Sequence, residues 1–266
     1  MLYYKTPEEV ELMRESNLLV SKTHAAVASF IKPGRTTDYL DNIAESFIRD
    51  HQAIPAFKGY NDFPATLCIS VNEQVVHGIP GKRELREGDV VSIDCGVEKN
   101  NYFGDSAYTY ALGEIAPAKM KLLRITKEAL YKGIEQARSG NRVGDISYAI
   151  QFHSEKMNGY GVVRDLVGHG IGRHLHESPS VPNFGKKNAG LRLKKGLVIA
   201  IEPMINLGAY QVIQEEDGWT ITTKDKTISA HYEHTVAICT GEADILSTFK
   251  FLEEEIKKNI ELVEIQ

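Results

Sequence analysis

This sequence predicts an α+β fold assembled from two related halves. Three features carry that expectation. Helix-forming segments come in pairs, each pair followed by strand-forming segments with short turns, which suits antiparallel hairpins packed on helices. Residues 88–105 read as one long β-hairpin. Residues 85–94 recur without gaps at 193–202.

The chain opens on a helix signal: Thr6 caps, Pro7 takes the first helical position and Glu9 closes a capping box. That helix carries Val10, Met13, Leu18, Val20 and Ala25 and is expected to end before Pro33-Gly34. A second helix opens near Thr37-Asp38 and runs to about Asp50. Residues 52–80 read as a loop with Pro55, Gly59 and Pro64, then a strand at 67–71, then a turn with His77 beside Gly78. After the hairpin, a third helix spans roughly 117–138, stopped by Gly140. A fourth starts near Asp145 and stops by Gly159. From Val162 the chain is strand-rich, with turns at Asp217-Gly218 and around Lys224-Asp225. A last helix begins after Thr248 and reaches about Ile260. No linker or low-complexity tract interrupts the chain, so residues 1–266 are expected to form a single domain with halves at roughly 1–110 and 111–250.

In the hairpin, Val90, Val91 and Ile93 suit a buried strand, and Asn100-Asn101 tolerate the positive φ of a two-residue turn. A turn there makes opposed residue numbers sum to 201. Asp94 then faces Ala107, and Asp105 becomes its diagonal neighbour on the same face. Two carboxylates about 4 Å apart repel by roughly 4 kcal/mol at an effective dielectric of 20. Either a cation sits between them or both flank a solvated hairpin.

The repeat reads Leu-x-x-Gly-x-Val-x-x-Ile-acid at 85–94 and again 108 residues later. Gly34 before Asp38 resembles Gly140 before Asp145 at about the same offset. Matched order, spacing and terminal acid point to a duplication. A duplicated half packed about a pseudo-two-fold axis brings Asp94 and Glu202 to one central sheet.

Gly168-His169-Gly170-Ile171-Gly172-Arg173-His174-Leu175-His176-Glu177 is the densest chemical segment. Its glycines allow close backbone approach, but the spacing fits neither a phosphate loop nor a dinucleotide fingerprint. Three histidines in eight residues favour metal or acid–base work over packing. In a strand, His174 and His176 share a face. Residues 230–238 read as one strand holding Glu233, with His231 on its face and His234 on the other as a structural residue. Asp94, Asp105, Glu202, Glu233 and His169 together give four carboxylates and one imidazole. Two divalent cations balance that charge. Oxygen-rich ligation with one nitrogen suits Mn, Fe(II), Co or Zn and disfavours a structural zinc site. Such a pair holds an activated water for attack on a carbonyl. No Gly-x-Ser-x-Gly elbow is present.

Composition narrows the alternatives. A net charge of -5 argues against a nucleic-acid binder relying on overall basicity. The N-terminus lacks the apolar region of a signal peptide, and no apolar run approaches the roughly 18 residues of a membrane span. Cys68, Cys95 and Cys239 are widely spaced and odd in number, which fits a reducing cytoplasm rather than a disulfide framework.

With these motifs assembled, the chain resembles the type I methionine aminopeptidases over almost its whole length. The resemblance rests on Asn-Glu-Gln-Val-Val-His-Gly-Ile-Pro at 72–80, Asp94 and Asp105 at their spacing, Gly-His-Gly-Ile-Gly-Arg-His-Leu-His-Glu-Ser-Pro at 168–179, Ile-Glu-Pro-Met at 201–204 and Tyr-Glu-His-Thr at 232–235. It implies the pita-bread fold, a pseudo-two-fold α+β domain. The implied activity is removal of the initiator methionine from nascent polypeptides whose second residue is small, with transient action at the ribosome, as a cytoplasmic monomer. It implies that Asp94 chelates one of two divalent ions, that Asp105 and Glu233 bridge them, and that His169 and Glu202 hold the second. Glu202 also shuttles a proton, and His77 and His176 steady the tetrahedral intermediate. Tyr60, Phe63, Cys68 and Trp219 match the family's methionine pocket. Phe57 and Leu175 match it in place but depart from its commoner residues. The absence of a cysteine-rich N-terminal extension and the short 169–202 interval imply a compact bacterial-type enzyme.

Two rivals remain open on the sequence. One is an Xaa-Pro aminopeptidase or prolidase, which shares the fold and ligand set. The other is a ligand-losing relative used as a binding module, against which stand all five ligand positions and both histidines.

Overall fold

A computed structural model describes residues 2–265. Helix α1 (Pro7–Ala28) starts with the expected box: Thr6 accepts from the Glu9 amide, and Glu9 accepts from the Thr6 amide. Helix α2 (Thr37–Asp50) buries Leu40, Ala44 and Ile48, spaced four apart on one face. Helix α3 (Pro117–Ile134) ends four residues earlier than the glycine stop predicts, because residues 136–141 turn back through Ala137, Arg138 and Asn141 amides. Helix α4 (Val143–Gln151) continues into a π-helical turn, Phe152–Met157. Helix α5 (Lys250–Ile256) is shorter than its expected run to Ile260: Asn259 leaves the helix, and its side chain donates to the Ala28 and Ile31 carbonyls.

Two five-stranded antiparallel sheets carry the site. In the first, Val90–Lys99 pairs with Tyr102–Leu112 on one side and with Leu67–Val71 on the other, and Ile54–Pro55 and Leu262–Val263 complete the sheet. The predicted register is observed: Asp94 faces Ala107 and Gly96 faces Asp105. Asn100 and Asn101 have φ of 55° and 60°. In the second sheet the order is Asp244–Ile245, His234–Ala237, Val198–Ile201, Gly168–Gly170 and Glu177–Val181. Ile93 and Ile199 are both fully buried, each contributing about 1.5–3 kcal/mol by removal from water.

The duplication is written in matching hydrogen bonds. The Gly34 amide donates to the Leu85 carbonyl at 2.8 Å, and the Gly140 amide donates to Leu193 at 3.0 Å. Leu85 returns a bond to Arg35, and Leu193 to Asn141, both at 2.8 Å. Gly88 and Gly196 share a φ of 87°, a left-handed turn that favours glycine. The chain is therefore an α+β fold with two equivalent halves.

Candidate active site

One cavity of about 250 Å³ gathers the predicted residues. Asp94, Asp105, His169, Glu202 and Glu233 line it with His77 and His176, and so do Phe57, Tyr60, Phe63, Cys68, Leu175 and Trp219. Register alone places the first two. Asp94 and Asp105 sit on one face of the long hairpin, and Cys68 is the cross-strand partner of Asp94. Helix α1 fixes this wall: the Asp105 amide donates to Asn17 Oδ1 at 3.3 Å, and the Ser16 hydroxyl donates to the Tyr102 carbonyl at 2.8 Å.

His169 stands on Gly168–Gly170, where a Cβ on either glycine would meet backbone oxygen at 2.4 or 2.3 Å. Glycine is needed there because the neighbouring chain passes so close. His169 Nε2 lies 3.8 Å from Asp105 Oδ2 and 3.6 Å from Glu202 Oε1. Glu202 follows directly after Val198–Ile201, and its carbonyl accepts from Asn183 Nδ2 at 2.9 Å.

Glu233 corrects one expectation. The 230–238 stretch is not one strand: it is split into Ser229–His231 and His234–Ala237, with Tyr232 and Glu233 in the break. The cause is a change of partner. The Glu233 amide donates to Ala107 at 2.9 Å, and the Ser106 hydroxyl donates to the Glu233 carbonyl at 2.7 Å. The break turns the carboxylate toward the hairpin acids. His234 is structural as expected, hydrogen-bonded to Ser247 at 2.6 Å and stacked on Phe249.

His174 and His176 correct a second expectation, since 171–176 is not a strand. His174 is exposed, and its amide donates to Glu177 Oε1, whereas His176 faces the cavity. Glu177 folds this loop. Its Oε1 also accepts from the Arg173 amide at 2.9 Å, and its Oε2 meets Lys5 Nζ at 2.5 Å in a buried pair. His176 Nδ1 lies 2.8 Å from the Tyr60 hydroxyl, and its ring meets that of His169 edge-on at 4.3 Å. His77 holds a φ of 58°, rare for a side-chain-bearing residue and common where strain serves a site. Its ring meets Trp219 at 6.2 Å, and Trp219 meets Phe63 at 5.1 Å. The Phe57 ring fits against the hairpin only because Gly96 has no side chain.

Asp105, His169 and Glu233 offer ligand atoms all within 4.8 Å of one another. Asp94 Oδ1, Asp105 Oδ1 and Glu233 Oε1 are buried without any hydrogen-bond partner. Burial, then the neighbouring carboxylates, holds Asp105, Glu202 and Glu233 well above the ordinary carboxylate range. Burial likewise pushes Asp94 up. It pushes His169 down to about 3 and His77 down to about 4, so both imidazoles are neutral donors or ligands. Orphaned buried oxygens beside a neutral imidazole fit divalent cations with a mixed oxygen and nitrogen shell.

The model of metallopeptidase family M24 matches residues 11–239. The chain belongs to metallopeptidase family M24. Within M24 it is 49% identical over 248 residues to a methionine aminopeptidase of Clostridium acetobutylicum, covering 93% of this chain and 99% of that one. The crystal structure of methionine aminopeptidase from Rickettsia prowazekii superposes with a TM-score of 0.91 at 41% identity, covering 93% of this chain and all of that one. A prolidase from Pyrococcus horikoshii shares the fold with a TM-score of 0.72 at 20% identity, and this chain spans 63% of it. The M24 fold is the pita-bread arrangement that the resemblance implied, and its pseudo-two-fold halves agree with the repeat.

Sequence reasoning missed four contributors. Asn61 lines the cavity through a short turn with positive φ. Lys5 and Glu177 meet across 172 residues, a contact no local pattern signals. His231, noted only as sharing a face with Glu233, lies beside Glu202.

Proposed function

We propose that this M24 enzyme is a metal-dependent methionyl aminopeptidase, a hydrolase that removes the N-terminal methionine of polypeptides with a small second residue. The observation that carries the reading is one cavity with a carboxylate–imidazole cluster, orphaned buried oxygens and a lining of apolar side chains. Asp94, Asp105, His169, Glu202 and Glu233 would hold two divalent ions, whose +4 offsets four carboxylates; Mn, Fe(II), Co and Zn all suit the donor set. When bound, the ions supply an activated water and polarise the scissile carbonyl.

The chain's own groups do the rest. Tyr60, Phe63, Cys68 and Trp219, with Phe57 and Leu175, form a slot for a flexible thioether. The free amine of the substrate sits at the acidic cluster, which restricts cleavage to the first residue. Glu202 would take a proton from the attacking water and return it to the leaving amine. The Tyr60 hydroxyl lies 2.8 Å from His176 Nδ1; in the tautomer where it donates there, His176 keeps an Nε2–H to stabilise the developing oxyanion, with neutral His77 as a second donor. Residues 1–266 act as one catalytic domain with halves 1–110 and 111–250, working as a cytoplasmic monomer on nascent chains at the ribosome, without nucleic-acid or membrane partners.

The test is methionine release from Met-Ala-Ser by purified protein, with and without Mn(II) or Co(II), beside Asp94→Ala and an Xaa-Pro peptide. Metal-dependent release, absent in the variant, supports the reading. Cleavage of the Xaa-Pro peptide alone moves the enzyme to the prolidase side of the fold. Release with neither peptide removes the assignment.

A further inference from the structure

Behind Glu202 lies an imidazole that none of these roles uses. His231 ends the strand Ser229–His231 and is 2% exposed. Its Nε2 is buried with no hydrogen-bond partner. Glu202 Oε2 lies 3.7 Å away, whereas the other oxygen of the same carboxylate, Oε1, lies 3.6 Å from His169 Nε2. The two oxygens of Glu202 therefore face two different imidazoles, and only His169 belongs to the ligand cluster.

The position of His231 is fixed from both sides. Its amide donates to Thr109 Oγ1 at 2.9 Å, and Thr109 Oγ1 donates back to the His231 carbonyl at 2.7 Å. Ser92 lies 2.8 Å from Thr109 Oγ1, so hydroxyls of the first-half hairpin grip the residue. On the other side His231 is the cross-strand partner of Met204, two residues after Glu202. A buried N–H left unpaired costs about 1–3 kcal/mol, so a buried polar ring held this firmly needs a reason. Its gap to Glu202 exceeds a normal hydrogen bond of about 2.7–3.2 Å. The terminal torsion of a glutamate is soft, and a small rotation closes it.

We propose that His231 is a positioning residue for Glu202. Its Nε2–H donates to Oε2, fixes the plane of the carboxylate and keeps Oε1 turned to the ligand cluster. Because Ser92 and Thr109 lie on the first-half hairpin, the same contact ties the second-half acid to the wall that carries Asp94 and Asp105. The inference rests on the reading of Glu202 as a metal ligand, and groups behind a ligand typically change metal affinity or activity by about 10–100-fold.

The experiment compares wild type, His231→Gln and His231→Leu. Gln keeps an N–H near the Nε2 position; Leu removes it at similar volume. Three quantities are read: Mn(II) affinity by calorimetry, kcat and KM on Met-Ala-Ser, and the melting temperature in chelator. The Leu variant is expected to bind Mn(II) about 10–100-fold more weakly and to lose kcat with KM nearly unchanged. Its melting temperature in chelator should not fall, because in the metal-free protein Nε2 stands 3.7 Å from Glu202 and makes no hydrogen bond. The Gln variant should stay within about threefold of wild type in affinity. Equal losses in Gln and Leu, or a lowered melting temperature that accounts for the lost activity, would assign His231 to packing and overturn the proposal. So would a Leu variant that binds and turns over like wild type. Wild-type protein that binds no Mn(II) would instead remove the ligand reading of Glu202, and this inference with it.

Discussion

In the first half of the molecule the strand that presents its acid runs ten residues, Val90–Lys99, against an eleven-residue partner. In the second half the equivalent strand runs four residues, Val198–Ile201, against four, His234–Ala237. Both begin at a glycine turn with the same φ, and both present an acid at the repeat's tenth position. The long hairpin sets the facing of Asp94 and Asp105 by register, and Asn17 and Thr235 only brace the backbone of Asp105. The short strands do not: His169, Glu202, Glu233 and His176 stand at a register shift, a strand end, a break and a bend, and Lys5, Asn183 and Ser106 hold the last three in place. A duplicated scaffold can thus keep one half regular as a wall while the other half gives up strand length to turn side chains inward.

The contrast can be tested at its strongest point first. Asp105→Asn leaves the hairpin register intact but removes a charge from the cluster. If the first half works by placement alone, melting in chelator should hold while Mn(II) binding weakens. Methionine release should fall about 10³-fold, several kcal/mol of lost charge stabilisation. Calorimetry and steady-state kinetics check this, and a collapse of the fold would show that the wall depends on its acids.

The second half should depend on distant contacts. Lys5→Met leaves Glu177 buried without its partner, a loss of about 3–5 kcal/mol for a buried pair broken on one side. Denaturant unfolding should show that loss, and kcat/KM should fall through the loop carrying Leu175 and His176, with Mn(II) affinity kept. An unaffected kcat/KM would mean that the loop holds itself.

Equivalent glycines sharpen the comparison further. Gly88→Ala and Gly196→Ala each force alanine to a φ of 87°, costing about 1–2 kcal/mol. At Gly196 a Cβ also meets the Lys5 carbonyl at 2.7 Å, while at Gly88 the nearest atom is at 3.8 Å. Gly196→Ala should therefore destabilise more, as read from paired melts. Equal shifts would deny that the second half relies on the N-terminal segment.

A pH-dependent effect lies on the first-half wall. Burial pushes Asp41 up to about 6, although its Oδ1 accepts from the Thr66 and Leu67 amides. A raised carboxyl pKa means that the folded state holds the proton more tightly. Its stability is fullest below the unfolded value near 4 and declines as pH rises through 6, by at most about 1.4 kcal/mol per pH unit. Asp41→Asn keeps an acceptor and cannot titrate. The wild-type-minus-variant stability difference should slope between pH 4 and 6 and be flat above.

How much was legible in the sequence follows the same division. The capping box at Thr6, the Asn100-Asn101 turn, the facing of Asp94 and Ala107, and the duplication came from residues within a few positions or a fixed offset of one another. Those are local effects, governed by φ preferences, side-chain alternation and cap hydrogen bonds, and the chain carries them wherever it goes. The four acids and the imidazole were named from residue type and spacing. The break at Glu233, the bend that separates His174 from His176, the Lys5–Glu177 pair and the closeness of His231 to Glu202 were not readable. Each depends on a partner from the other half or the other end of the chain. A strand continues only while its hydrogen bonds have no better acceptor, and for Glu233 that acceptor is Ala107, 126 residues away. Sequence determined which groups are present and how each half folds locally. Tertiary structure decided where they point, because long-range hydrogen bonds and buried charge outweigh local preference at the seam between the halves.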